Sequence, residues 1–159
     1  MKFCTINERE LKYDIETNEI WGQNYKFRCR PWEVKSSCKN GDYLCMRIGS
    51  KMYQHHRVIY KFYNPNWNIE DGSRDNSIDH INGHRDDNRI ENLRNLTNQQ
   101  NCFNQTKAKG YSWDKKSKKW RAHIHLNAEQ IHLGLFDLEE DARNAYLEAK
   151  KVYHIITPI

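Results

Sequence analysis

Side chains able to hydrolyse an anionic ester stand close together between residues 79 and 101 of this chain. Asp79 and His80 are adjacent in Ser77-Ile78-Asp79-His80-Ile81, Asn92 follows inside Glu91-Asn92-Leu93-Arg94, and Asn101 closes Gln99-Gln100-Asn101. An imidazole whose pKa lies near neutrality can take a proton from water. Carboxylate and amide oxygens suit a hard cation such as Mg²⁺. A phosphodiester, anionic and unreactive, calls for both: an activated water, and positive charge beside the leaving oxygen.

Such side chains act only if local structure holds them. Residues 77–81 read as a short strand, Asn82-Gly83 opens a loop running to Arg89, and Leu93-Arg94-Asn95-Leu96 reads as a second strand;. Thr97 is a good helix N-cap, and Gln100 three residues later completes a capping box, so a helix is expected from Asn98 to about Thr106;. Asn101 falls within its first turn and a half. Upstream, Val58, Ile59 and Phe62 share one face of a short helix over His55–Tyr63, which Asn64-Pro65-Asn66 ends;. Residues 8–50 read as a β meander with two hairpins, turned at Glu16-Thr17-Asn18 and Asn40-Gly41-Asp42;.

Beyond Lys107–Gly110 the pattern changes. In one strand Trp120, Ala122, Ile124 and Leu126 alternate with Arg121, His123 and His125, giving one apolar face and one basic or imidazole face;. A helix from Leu138 to Tyr153 aligns Ala142, Ala145, Tyr146, Ala149, Val152 and Tyr153;. Trp113 and Trp120 read as core. Lys107, Lys109, Lys115, Lys116, Lys118, Lys119 and Arg121 stand against Asp114 alone, a local excess that makes a plausible phosphate footprint;.

The whole chain sets the remaining bounds. With 37% apolar and 30% charged residues among 159, it is a polar protein with a modest core, in one domain or two small ones;. No stretch of eighteen apolar residues exists, which excludes a transmembrane helix, and the N-terminus lacks the apolar run of a signal peptide;. A cytoplasmic location is expected, with no membrane partner and no obligate protein partner implied. Five cysteines (Cys4, Cys29, Cys38, Cys45 and Cys102) without a C-x-x-C pair fit reduced thiols rather than a disulfide framework or zinc knuckle;. Cys29, Cys38 and Cys45 with His55 or His56 are spaced irregularly for zinc.

The run DHINGHRDDNRIENLRNLTNQQN over residues 79–101 resembles the HNH nuclease motif as phage and intron-encoded homing endonucleases use it. The resemblance implies that His80 is the general base and that Asp79 and Asn101 bind one metal ion. That oxygen pair, in place of the two His of many HNH nucleases, favours Mg²⁺ or Mn²⁺ over Zn²⁺. Asn92 is expected to hydrogen-bond backbone near His80 and so orient the imidazole. Asn104 and Gln105, one turn past Asn101, are candidates for a further ligand or water contact. The family places a His-Arg pair at His56-Arg57, where either could contact DNA or support the hairpin; support is expected of His56 and DNA contact of Arg57.

Residues 108–154 resemble the apetala/ethylene-response-factor DNA-binding domain through Lys109-Gly110-Tyr111-Ser112-Trp113, Lys119-Trp120-Arg121-Ala122-His123-Ile124, His132-Leu133-Gly134-Leu135-Phe136-Asp137 and Glu140-Asp141-Ala142. The family's sheet enters the major groove of duplex DNA. The corresponding exposed positions are Ser112, Arg121, His123, His125 and His132, with Lys115, Lys116, Lys118 and Lys119 beside them. Ser112, His125 and His132 depart from the Arg, Arg and Trp usual in the plant domains, which leaves phosphate contact as the clearer role.

The expected fold class is therefore α+β. An N-terminal β meander and a ββα-metal nuclease core occupy residues 1–106 (the core about 77–106), and a three-stranded antiparallel sheet packed on one helix occupies 107–159. The expected activity is metal-dependent cleavage of double-stranded DNA. A DNA-binding protein on an inactive nuclease scaffold is the alternative.

Overall fold

The computed structural model describes residues 1–23, 32–104 and 109–157. Alternation builds the N-terminal half. Strands β1 (Lys2–Ile6), β2 (Arg9–Asp14), β3 (Glu19–Gln23) and β4 (Trp32–Val34) form one antiparallel sheet in that order. Leu11, Tyr13 and Ile20 share its buried face, while Lys12 and Trp21 fall on the other by alternation;. Asn7 and Glu8 turn β1 into β2 with φ of 49° and 59°, the left-handed pair of a tight hairpin;.

A second sheet contains β5 (Ser37–Asn40), β6 (Tyr43–Ile48) and β7 (Lys51–Gln54), with Gly41 and Gly49 both at φ 61° in its turns. The expected single meander is thus two sheets. Two of the unexpected strands carry little alternation to read: β4 is three residues long, and β5 is exposed at every position.

Helix α1 (His55–Tyr63) follows β7 directly and buries Val58, Ile59 and Phe62, as their spacing requires. With Ile6, Met46, Ile48 and Ile78 they form the core of this part of the chain. The loop after α1 is pinned from the helix: Lys61 Nζ donates to the carbonyls of Pro65 (2.6 Å) and Trp67 (2.7 Å), and the Trp67 indole donates to the Asn76 side chain. Strands β8 (Ser77–His80) and β9 (Leu93–Leu96) then pair as a two-stranded sheet, with a 3₁₀ turn at Ile90–Asn92 before β9. Helix α2 (Asn98–Phe103) begins on the expected capping box: Thr97 Oγ1 accepts from Gln100 N (3.2 Å), and Gln100 Oε1 accepts from Thr97 N (3.3 Å).

The chain divides into two compact units, residues 1–95 and 96–159. The expected 106/107 division, the helix end near Thr106, and Gln105, Lys107 and Cys29 all lie outside the described residues. In the second unit β10 (Tyr111–Asp114), β11 (Lys119–Leu126) and β12 (Glu129–Phe136) form an antiparallel sheet, and α3 (Glu139–Tyr153) packs on it. Ala142, Tyr146 and Ala149 are buried beside Ala122 and Ile124. A Cβ at Gly110 would collide with the Tyr146 ring and the His123 carbonyl, so only glycine lets the chain pass here;. Two expectations for this core are corrected. Val152 and Tyr153 are exposed, the stripe on α3 being buried only as far as Ala149. Trp113 is 46% exposed, because β10 is an edge strand and the cross-strand indole of Trp120, 5.5 Å away, covers only one side of it.

The second unit also holds α2. Gln99 Nε2 donates to Asn127 Oδ1 in the β11–β12 turn (2.9 Å), Gln100 Nε2 donates to the Thr157 carbonyl (3.0 Å), and the Phe103 ring stacks on His154 at 4.0 Å. Among the described cysteines Cys4, Cys38, Cys45 and Cys102 are free thiols. Cys38 and Cys102 are exposed, whereas burial pushes the Cys4 thiol up to about 12. Among the described residues no helix is long and apolar enough to cross a membrane.

Candidate active site

Asp79 and His80 close β8, and both are buried. Successive strand side chains point to opposite faces, so the two meet different partners. Asp79 is met from β9, where Arg94 directs Nε (2.9 Å) and Nη2 (2.8 Å) at its Oδ2. His80 is met from the loop: its Nε2 lies 3.0 Å from Asn88 Oδ1, and Asn88 Nδ2 lies 3.3 Å from His55 Nδ1 on α1. An amide oxygen only accepts and an amide nitrogen only donates, so the roles of the two ring nitrogens follow from the tautomer each imidazole adopts;.

Rings enclose the same imidazole. His56 stands edge-on to His80 with centroids 4.9 Å apart, and Tyr43 lies 5.3 Å from His56 and 6.3 Å from His80. Burial pushes His56 down to about 3, helped by the nearby charges of His80, Arg57 and His55, and burial lowers His55 as well. Both are therefore neutral near pH 7, and no cationic ring presses on His80 from that side.

The loop between β8 and β9 is organised by Asn92. Its Oδ1 accepts from Asn82 N (3.0 Å), and its Nδ2 donates to Asn82 Oδ1 (3.0 Å) and the Asp87 carbonyl (2.8 Å). Its own carbonyl accepts from Ile81 N at 2.9 Å, next to His80. Hydrogen bonds from Arg89 hold the Asp87 carboxyl well below the usual carboxylate range. Arg57, expected to contact DNA, turns its guanidinium inward. Nη1 donates to the Asn76 carbonyl (2.9 Å) and Nη2 to those of Ile69 (3.0 Å) and Asp71 (3.1 Å), with the group 4.7 Å over the Trp67 ring. This is the geometry of a loop clamp.

Asn101 lies on α2 in the second unit, half-buried, with Asn104 at the helix C-cap. Among the described residues no group of three or more His, Cys, Asp or Glu side chains is placed to hold a metal ion. A Mg²⁺ ion is usually held by one or two carboxylates with waters and substrate phosphates rather than by a full protein cage, and a buried carboxylate with amide oxygens is an oxygen donor set suited to it.

In the second unit the register assembles the expected basic face. Ser112 lies opposite Arg121, and His123 opposite His132, with a bulge between Ala122 and His123. Arg121, His125 and His132 are exposed. His123 is half-buried, its ring 5.3 Å from that of His125 and its Nδ1 without a hydrogen-bond partner among the described residues. Burial lowers its pKa, and the charges of His125, Arg121 and His132 lower it further. Lys115, Lys116 and Lys118 are exposed in a turn whose Asp114 accepts from Lys116 N (3.0 Å) and Ser117 Oγ (3.1 Å). Lys119 pairs with Asp137 at 3.1 Å, so a phosphate would have to compete for it.

Sequence reasoning missed Asn88, His55, Arg94 and Tyr43 as parts of this arrangement. Asn88 and Arg94 stand inside the motif segments Asp87-Asn88-Arg89 and Glu91-Asn92-Leu93-Arg94, which is a signal. Tyr43 and His55 give none, since they reach His80 only through tertiary packing.

Residues 53–102 match the model of a protein family described as HNH endonuclease. No curated protein and no solved structure matches the chain. The matched segment contains His55, His56, Asp79, His80, Asn88, Asn92, Arg94 and Asn101, and it supports a nuclease hydrolase acting on DNA, of a kind that generally uses a divalent metal.

Proposed function

Starting from the HNH endonuclease segment at residues 53–102, we propose that this chain is a metal-dependent, homing-type endonuclease that cuts double-stranded DNA at sites chosen with help from its C-terminal sheet. The observation that carries the reading is His80, buried in that segment with its Nε2 3.0 Å from Asn88 Oδ1. His80 takes the proton of the attacking water through Nδ1. Asn92 keeps the loop folded beside it, and Arg94 orients the Asp79 carboxylate.

Asp79 and Asn101 are the residues we assign to one Mg²⁺ or Mn²⁺. When bound, that ion supplies Lewis-acid stabilisation of the charge growing on the phosphate and the departing 3′ oxygen. The products are 5′-phosphate and 3′-hydroxyl ends. The second unit, which we assign to the apetala/ethylene-response-factor type with residues 107–159 as a DNA-binding domain, offers Arg121, His125, His132, Lys115, Lys116 and Lys118 to DNA phosphates, with His123 and Lys119 behind them. Tethering raises the effective concentration of the nuclease at a bound site. The chain acts in the cytoplasm, where DNA is within reach.

The test is cleavage of supercoiled plasmid with Mg²⁺, with Mn²⁺ and in EDTA, with the ends mapped. His80→Ala is expected to lose about 10²–10⁴-fold in rate with DNA affinity unchanged, since the imidazole acts on water and not on the duplex. Full activity in EDTA, or ends of opposite polarity, would overturn the assignment. DNA binding with no cleavage under any metal would make the chain an inactive scaffold.

A further inference from the structure

The contact of His80 with Asn88 is one end of a longer buried polar chain that reaches His55. Asn88, His80 and His55 are 7%, 4% and 9% exposed, and the Asn88 side chain spans the two imidazoles. A primary amide is directional, because its oxygen only accepts and its nitrogen only donates. Oδ1 faces His80, and Nδ2 faces His55. We infer that Asn88, anchored through Nδ2 by His55, is the positioning residue of His80, holding the tautomer in which Nε2 bears the hydrogen and Nδ1 the lone pair. This rests on His80 being the proton acceptor.

Three features argue for the assignment. The opposite tautomer would set a bare Nε2 against an amide oxygen, lone pair to lone pair, in a site with little access to water. Reversing the amide instead would put Nδ2 at His80 and Oδ1 against the Nδ1 lone pair of His55. That reversal is open only if the hydrogen of His55 moves from Nε2 to Nδ1, so the state of His55 is coupled to that of His80 through one side chain. Finally, the His56 ring at 4.9 Å, with Tyr43 behind it, limits the room for the His80 ring to turn over and exchange its nitrogens. Asn92 organises the loop backbone, whereas Asn88 touches the imidazole itself.

The test uses the full chain labelled with ¹⁵N. Long-range ¹H–¹⁵N imidazole spectra at pH 7.5 are expected to show His80 protonated at Nε2, with a slowly exchanging Nε2–H. Asn88→Asp keeps an acceptor toward His80 and is expected to keep that signal, whereas Asn88→Leu is expected to lose it. His55→Phe removes the acceptor for Nδ2 and is expected to hasten its exchange. In Mg²⁺-dependent cleavage Asn88→Leu is expected to fall about 10–100-fold in kcat with KM unchanged, the size of a small misplacement of a reacting group. Asn88→Asp should restore part of that loss.

A wild-type His80 protonated at Nδ1 overturns the inference, even if Asn88→Leu fails to fold. So does an Asn88→Leu variant with wild-type kcat, or an Asn88→Asp variant no better than Asn88→Leu. A wild-type chain that shows the Nε2–H signal yet cuts no DNA would instead sink the nuclease reading and leave the tautomer assignment standing.

Discussion

Arg94 donates twice to one oxygen of Asp79, with only 15% and 9% of the two side chains exposed. A carboxylate removed from water in this way needs its counter-charge, so deleting the guanidinium leaves an uncompensated charge inside. Arg94→Ala should therefore destabilise the fold by about 3 kcal/mol, the low end for breaking a buried pair, as read by urea unfolding. An unchanged unfolding midpoint would mean that the pair contributes nothing. His56 contributes an acid-sensitive part of the stability;. An unfolded His binds its proton near ~6.5, whereas burial holds folded His56 down to about 3;. Below about pH 6.5 the unfolded chain thus takes up a proton that the native chain refuses. The stability contributed by neutral His56 is intact above that pH and is lost progressively as pH falls toward about 3;. Inside the window the loss is up to about 1.4 kcal/mol per pH unit for this group, with His55 adding in the same direction;. Unfolding at pH 7.5 and 5 should show a shallower dependence in His56→Gln; equal dependence would assign the acid sensitivity to other groups.

At the scale of elements, α2 is where a correct local reading gives too simple a picture. Thr97 and Gln100 declare the helix start in four residues, and both hydrogen bonds of the capping box are present. What the helix rests on is not local: Asn127, His154 and Thr157 lie far along the chain, and nothing about Gln99, Gln100 or Phe103 announces them. A helix of six residues does not stand by itself in water;. The sequence alone suggests that a chain without residues 107–159 keeps a complete site. The packing of α2 argues that such a chain keeps the strand signature of residues 1–95 by circular dichroism and loses cleavage. Cleavage at wild-type Mg²⁺ requirement would show that α2 needs none of those partners. The β10–β11 turn makes its own prediction. Lys115 and Lys116 are exposed, and each phosphate contact adds about 0.9 to the slope of log affinity against log salt;. Replacing both by Ala should lower that slope by about 1–2 in an anisotropy titration. An unchanged slope would leave them a solvated turn.

For the whole molecule, periodicity carried most of the elements. Helix α1, strand β11 and helix α3 follow from patterns of period two and 3.6, whereas the three-stranded arrangement of the second sheet comes from the family resemblance;. The partition of the N-terminal strands into two sheets follows from neither, since pairing is a long-range choice and β5 has no buried position to betray it. The same divide runs through the candidate site. Asp79, His80, Asn92 and Asn101 are visible because their types are chemical and their spacing is short. Asn88 hides as one more polar residue in a polar loop, and His55 and Tyr43 become neighbours of His80 only once β6, α1 and β8 are packed. The cysteines carry the last consequence. A thiol reacts as its anion, so Cys4, with its pKa near 12, is a poor target for alkylation, while the exposed Cys102 is open to it;. Cys102 immediately follows Asn101 on α2. With Cys29 and Cys38 changed to Ser, one maleimide fluorophore there becomes an optical gauge of that helix, and its emission on adding Mg²⁺ or duplex DNA would test whether either arrives at α2.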